Sequence, residues 1–449
     1  MAERSQPVRR SYRLQPSLTE TWLDVEHAQE LKAISGLLDA DRSIYDLALE
    51  DLTRSTAQRK SRAGARGLSA EQVVRALILK QMNGFSYREL AFHLADSRSY
   101  RTFCRLGLAE GTPKKSALQA AIKALTPETL EGIHRRILQL AVDCGVERGS
   151  KLRVDATVVE SNIHHPTDSE LLWDCVRVLT RLLGRARDLL GPQVVVFNDR
   201  TRRAKRRRRE INSARTKQKR LQPYRDLIGV TEQVRSRAQA AREVLARSTG
   251  PKALRLTQQL ECYLELSGQV TDQARRRILD GESVPAAEKI VSIFEDHTDI
   301  IRKDARDTLY GHKICLAAGS SSLVLDCQIL EGNPPDATLA VTMIERQAEI
   351  LGRVPRQVAF DGGFASKSNL AEIKKLGVED VVFAKGRGLE VSDMAKSSWV
   401  FQRLRHFRAG IEGIISFLKR AFGLDRCTWR SLSSFRSYVW GSIITATCS

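Results

Sequence analysis

Two short apolar runs, each carrying a single aspartate, constrain this chain most: Arg153-Val-Asp-Ala-Thr-Val-Val159 and Val358-Ala-Phe-Asp-Gly-Gly363. Runs this rich in Val, Thr and Phe read as strands. In an open α/β sheet the carboxyl ends of neighbouring strands share a crevice, so Asp155 and Asp361 can meet there although 206 positions separate them. Gly362 and Gly363 permit a sharp turn and a close approach by another group. Taken singly, either aspartate also reads as an ordinary strand-end residue capping a turn.

Further elements surround these strands. Gly311–Ala318 and Leu323–Leu330, parted by Gly-Ser-Ser-Ser, read as a hairpin. Residues 336–351 and 367–376 read as helices, and 380–385 as another strand. Residues 169 to about 285 are helical in pattern, with Val194–Phe197 as their one strand-like run. The order predicts an α/β sheet with packed helices, interrupted by a helical block.

Before the first strand, Leu68–Ser97 shows a helix, a break at Asn83-Gly84, and a capping box at Ser86-Tyr-Arg-Glu89 that starts a second helix. Such a helix-turn-helix can place its second helix in a major groove, with Arg88, His93, Arg98 and Arg101 on or just beyond it; it reads equally as a helical hairpin for packing. Thr126-Pro127 marks a further helix start. Residues 1 to about 20 read as a flexible basic arm.

Lys and Arg total 73 against 53 Asp and Glu, a net charge of +20, which points to a polyanionic partner. Eight of the eleven residues in Arg200–Glu210 are cations, either a solvated face or a track for phosphates. The eight cysteines are scattered and read as reduced, mostly packed thiols. No apolar run approaches the ~18 residues a membrane helix requires, so a cytoplasmic protein without membrane association is expected.

In Arg405–Lys419 a helical step of ~100° per residue gathers Arg405, Arg408, Glu412 and Lys419 into one polar arc, with Ile411, Ile414, Ile415 and Leu418 largely elsewhere. One acid among three cations differs from the alternating signs of a salt-bridged surface helix. Asp155, Asp361 and Glu412 together suit phosphoryl transfer assisted by two hard divalent cations, with the neighbouring cations holding phosphates. His164 and His165 lack a third ligand at zinc spacing and read as residues where the chain leaves the strand. Glu160 and Asp168 are not required by the pattern, and Trp173 reads as core.

Four stretches carry a family resemblance: RVDATVVESNIHHPTDSELLWD, VAFDGG, RAGIEGIISFLKRAFGLDRCTWR and the N-terminal LSAEQVVRALILKQMNGFSYREL. They resemble bacterial insertion-sequence DDE transposases of the ISNCY type, which have an RNase H-like core. The third stretch is similar to the Y-x2-R-x3-E-x6-K signature, with Arg408, Glu412 and Lys419 at matching spacing and Arg405 where the signature has tyrosine. The resemblance implies that Asp155, Asp361 and Glu412 are catalytic metal ligands for Mg²⁺, with Mn²⁺ able to substitute. It further implies that Arg408 and Lys419 contact donor DNA.

The expected architecture is a basic arm and linker over residues 1–60, and a helix-turn-helix-like DNA-binding domain over 61–147. An RNase H-like catalytic domain of mixed sheet and flanking helices follows over 148–168 and 286–449, with a helical insertion at 169–285. DNA contacts are expected from Arg405, Arg408, Lys419, Arg88 and the Arg206, Arg207 and Arg208 run. The expected partners are terminal inverted repeats and target DNA, engaged by a homodimer at the bacterial nucleoid. Relative to the family, the C-terminal helix ending at Ser449 reads as shortened. The other function consistent with these features is a decayed or repurposed transposase that binds DNA without cutting it.

Overall fold

A computed structural model describes residues 22–57, 67–107, 110–302 and 307–449. The expected arm over the first twenty or so residues lies outside them. In chain order the helices before the first strand are α1 (Glu26–Ala40), α2 (Ser43–Ala57), α3 (Ala70–Met82), α4 (Tyr87–Asp96), α5 (Arg98–Phe103), α6 (Lys115–Ile122) and α7 (Pro127–Asp143). Strand β1 (Lys151–Glu160) leads to α8 (Asp168–Leu190), α9 (Thr201–Ser213), α10 (Lys217–Leu245) and α11 (Pro251–Ile278). Next come β2 (Asp299–Arg302), β3 (Thr308–Ala318), β4 (Val324–Ile329), α12 (Ala340–Leu351), β5 (Gln357–Phe360), α13 (Lys367–Lys375) and β6 (Asp380–Phe383). The chain closes with α14 (Val391–Met394), α15 (Ser398–Phe422) and α16 (Leu432–Cys448). Contacts divide it into two compact units, residues 1–160 with 312–449, and residues 161–311.

The first unit is built on parallel pairing of β1 with β5 and of β5 with β6, and on the antiparallel hairpin of β3 and β4. The whole six-stranded sheet runs β2-β3-β1-β5-β6, with β4 also on β3. It is the mixed sheet expected from the sequence. One apolar core joins Leu152, Val154, Val358, Phe360 and Val381 of the strands to Met343 and Ile344 of α12.

A second core of this unit draws Leu31, Leu77, Leu90 and Ile133 from the first seven helices together with Phe422, Phe435, Val439 and Ile443 from α15 and α16. The N-terminal helices and the C-terminal helix are thus one packed body. Helix α16 is buried from Phe435 through Thr445 apart from Arg436. Two capping signals hold as expected, Ser86 with Glu89 as a capping box and Thr126 capping α7 ahead of Pro127, and Ser69 with Gln72 forms a further capping box at the start of α3.

Residues 26–57 depart from the expected linker, since they form α1 and α2. Leu31, Ile34 and Leu38, then Ile44, Ala48 and Leu52, recur at helical spacing and are buried, so they outweigh the polar composition of the stretch.

In the second unit, α8, α10 and α11 pack around Leu172, Val176, Leu179, Leu227, Val234, Leu260 and Val270. Val194–Phe197 is not a strand: Val195 alone is buried and the segment forms an irregular connection to α9. Among the described residues no helix is long and apolar enough to cross a membrane. All eight cysteines are free thiols, five of them buried.

Candidate active site

Alternation along β1 explains its aspartate. Leu152 and Val154 point into the sheet core, while Arg153 and Asp155 point to the opposite face, which α15 covers. The parallel register pairs Val154 with Phe360, so Asp155, in the middle of the long strand β1, comes beside Asp361, which directly follows the carboxyl end of β5. Asp361 opens a 3-10 turn over Gly362–Phe364. Both glycines are needed for close approach: a Cβ at Gly362 would lie 2.8 Å from Cβ of Lys385, and one at Gly363 would lie 2.6 Å from Oδ2 of Asp336.

Helix α15 supplies the third acid. Ser397 caps it, Gly423 ends it in the left-handed conformation at φ 68°, and Val400, Leu404, Ile411, Leu418 and Phe422 form its buried stripe. Val400 and Leu404 pack on Ala359 and Val382 of the sheet. Arg153 fixes the helix further along, donating to the Phe407 carbonyl at 3.2 Å and to Oγ of Ser322 at 2.8 Å, with its guanidinium 4.7 Å from the Phe407 ring centre. Gly410 makes room for it, because a Cβ there would overlap Nη1 of Arg153.

This placement brings three carboxylates onto one guanidinium. Arg408 Nη2 lies 2.9 Å from Oδ2 of Asp155 and 3.1 Å from Oδ1 of Asp361, while Nη1 lies 2.7 Å from Oε1 of Glu412. Exposure grades outward, from 15% and 16% for the side chains of Arg408 and Asp155 to 43% for Asp361 and 64% for Glu412. Burial raises the pKa of Asp155, Arg408 and the Ala156 amide oppose that shift, and Asp361 and Asp336 add to it. With Arg408 between the acids, the described residues contain no group of three His, Cys, Asp or Glu already arranged around a cation. Carboxylate oxygens are nevertheless the donors that hard divalent cations prefer, and three of them converge here, so the residues fit such ions.

The remaining expected site residues lie elsewhere. Lys419 is turned toward Asp425 at 3.5 Å, and its offset of eleven positions from Arg408 corresponds to roughly 16 Å along the helix axis. Arg405 is exposed one turn before Arg408. Arg88 is exposed on α4, whereas His93 stacks on Phe85 with centroids 4.4 Å apart. Arg101 donates to the carbonyls of Leu94, Gly107 and Glu110, which makes it a loop clip.

In the second unit, Arg207 pairs with Asp226 and Glu210, Arg208 pairs with Glu170 at 2.8 Å, and Arg206 is 3.7 Å from Glu210. Asp168 accepts from Gln273 and Arg277, and His164 lies 3.5 Å from Asp174. Trp173 packs against the helical core. Sequence reading missed Arg153, although it stands two residues before Asp155 on the same strand face. It also missed Asp336, which follows Pro334-Pro335 and is held by Lys313 at 2.5 Å.

The family model described as "Transposase DDE domain" matches residues 271–448, which include Asp361 and Glu412. A second, described as "Transposase domain (DUF772)", matches residues 23–123, which include α1 to α4. The chain belongs to the insertion-sequence DDE transposases. Asp155 lies between the two matched segments; strand register and its contact with Arg408 bring it beside Asp361. No curated protein and no solved structure matches this transposase.

Proposed function

We propose that this transposase cuts DNA at the ends of its element and joins them to target DNA at a site formed by Asp155, Asp361 and Glu412. The observation that carries the reading is the convergence of these three carboxylates on Arg408. Asp155, Asp361 and Glu412 would hold Mg²⁺, or Mn²⁺ in its place. Bound there, divalent cations supply activation of an attacking oxygen and neutralisation of a leaving one.

The chain's own residues would do the rest. Asp155, on the long central strand, and Asp361, at the adjacent strand end, provide a rigid base. Glu412, more exposed and on a helix, completes the set. Arg405 and Lys419 extend a cationic line along α15 on either side of the acids, suited to a phosphate backbone. Arg88 and the α9 cations would add sequence-independent affinity, and two transposon ends would be brought together by a homodimer acting on DNA in the cytoplasm.

The test is an incubation of the full chain with duplexes that carry the element's terminal inverted repeats, in Mg²⁺ or Mn²⁺, with cleaved and joined products resolved on a denaturing gel. Asp155→Asn, Asp361→Asn and Glu412→Gln should each lower product at least a hundredfold, while a gel shift retains the DNA complex. Undiminished cleavage in any one of the three removes that residue from the site.

A further inference from the structure

In this structure the Arg408 guanidinium is taken up by the three acids. Its two terminal nitrogens engage Oδ2 of Asp155, Oδ1 of Asp361 and Oε1 of Glu412, one oxygen from each acid. The free oxygens of the inner pair are not equivalent: Oδ1 of Asp155 already accepts the Ala156 amide at 2.8 Å. The oxygen of Asp155 that Arg408 holds is thus the one best placed to bind a cation. A guanidinium at 2.9 Å and a cation at about 2.1 Å cannot share the same oxygens without severe like-charge repulsion.

We propose that Arg408 is the resident counter-ion of the three acids, that a divalent cation must displace it to enter, and that the displaced side chain is then free to take a phosphate. The inference rests on the metal-site reading above and deepens it. One guanidinium against three carboxylates leaves the cluster net negative, so a divalent cation is still attracted. Arg408 is anchored by a helix that stays packed on the sheet through Val400 and Leu404, so only its side chain has to move. Once released, it projects from the same helix as the exposed Arg405, one turn away.

Cation binding at the acids and phosphate binding by Arg408 become one coupled event. Because coupling is reciprocal, DNA that captures Arg408 also eases entry of the metal. Arg408 is on this account a positioning residue that withholds the metal until a nucleic-acid strand is present.

The experiment measures Mn²⁺ affinity of the full chain by electron paramagnetic resonance of the free ion, with and without a duplex oligonucleotide. For the native chain, DNA should tighten Mn²⁺ binding by about tenfold. Arg408→Gln should bind Mn²⁺ about tenfold more tightly than the native chain without DNA, and adding DNA should change its affinity little. Circular dichroism checks its fold. Should that variant not fold, Arg408→Lys carries the same test, because one ammonium cannot span three carboxylates; native-like affinity in it overturns the inference. Affinity unchanged or weakened in Arg408→Gln, with binding abolished in Asp155→Asn, overturns the inference and leaves the metal site standing. Mn²⁺ binding unaffected by Asp155→Asn overturns the site reading itself, and this inference with it.

Discussion

Gly410 decides how closely α15 approaches β1. In the interior of a helix, glycine to alanine ordinarily stabilises by about 0.5–1 kcal/mol. Here the added methyl would overlap a guanidinium that is buried and tied to the Phe407 carbonyl and to Ser322, so it cannot swing aside without losing both hydrogen bonds. Overpacking costs about 1–3 kcal/mol and should win. Gly410→Ala is therefore expected to destabilise the protein by about 1–2 kcal/mol in urea denaturation. It should also lower strand-transfer activity, because Arg408 and Glu412 ride on the displaced helix. In Arg153→Ala the same glycine replacement should cost nothing further, a non-additivity that a double-mutant cycle reads directly.

Between elements, α7 is latched to β4 by one buried histidine. His134 Nε2 lies 3.0 Å from the Val324 carbonyl, with the Trp440 ring of α16 centred 5.3 Å away. Burial lowers its pKa from 6.5 to about 4, with Asp326 and the Val324 carbonyl opposing that shift and Arg135 adding to it. The folded protein keeps this ring neutral where the unfolded chain protonates it, so its contribution is complete above pH 6.5 and is lost as pH falls toward 4. Across that window the loss should approach roughly 3 kcal/mol. Urea denaturation at a series of pH values should show it in the native chain, and the slope should flatten in His134→Gln.

The elements themselves were legible in proportion to their local signals. Capping boxes at Ser69 and Ser86 and the turn before Val324 mark real boundaries, because caps and turns are decided by neighbouring residues. Helices α1 and α2 were hidden because their apolar rows are diluted by charges that face solvent. Val194–Val196 misled in the other direction, since β-branched residues have no pairing partner beside α8. Asp155, Asp361 and Glu412, which meet at Arg408, stand out in the sequence because apolar strands and helix phase isolate each of them. Arg153 does not, because its role depends on α15 crossing above it, 254 positions away at Phe407, and Asp336 does not, because it is placed by the Lys313 ion pair and the close turn at Gly363.

At the scale of the whole molecule, net charge announced a polyanionic partner but not which cations meet it. In α9, Arg203 and Arg207 share Asp226, Arg207 also reaches Glu210, and Arg208 holds Glu170. These arginines bind the helix to its own unit. Arg202, Lys205 and Arg209 instead are exposed, and their spacing of three and four residues puts them on one face. That stripe, rather than the run as a whole, is the surface able to follow a phosphate backbone. Each phosphate neutralised contributes about −0.9 to the slope of log affinity against log salt on duplex DNA. Replacing Arg202, Lys205 and Arg209 together by Gln should reduce the magnitude of that slope by roughly 2–3 in fluorescence anisotropy, and weaken specific and random duplexes alike. Arg207→Ala should act differently: it strips Asp226 and Glu210 of a partner, lowers the melting temperature, and leaves the salt slope nearly unchanged. An unchanged slope in the triple variant would move the DNA track off α9, to the exposed cations of α4 and α15.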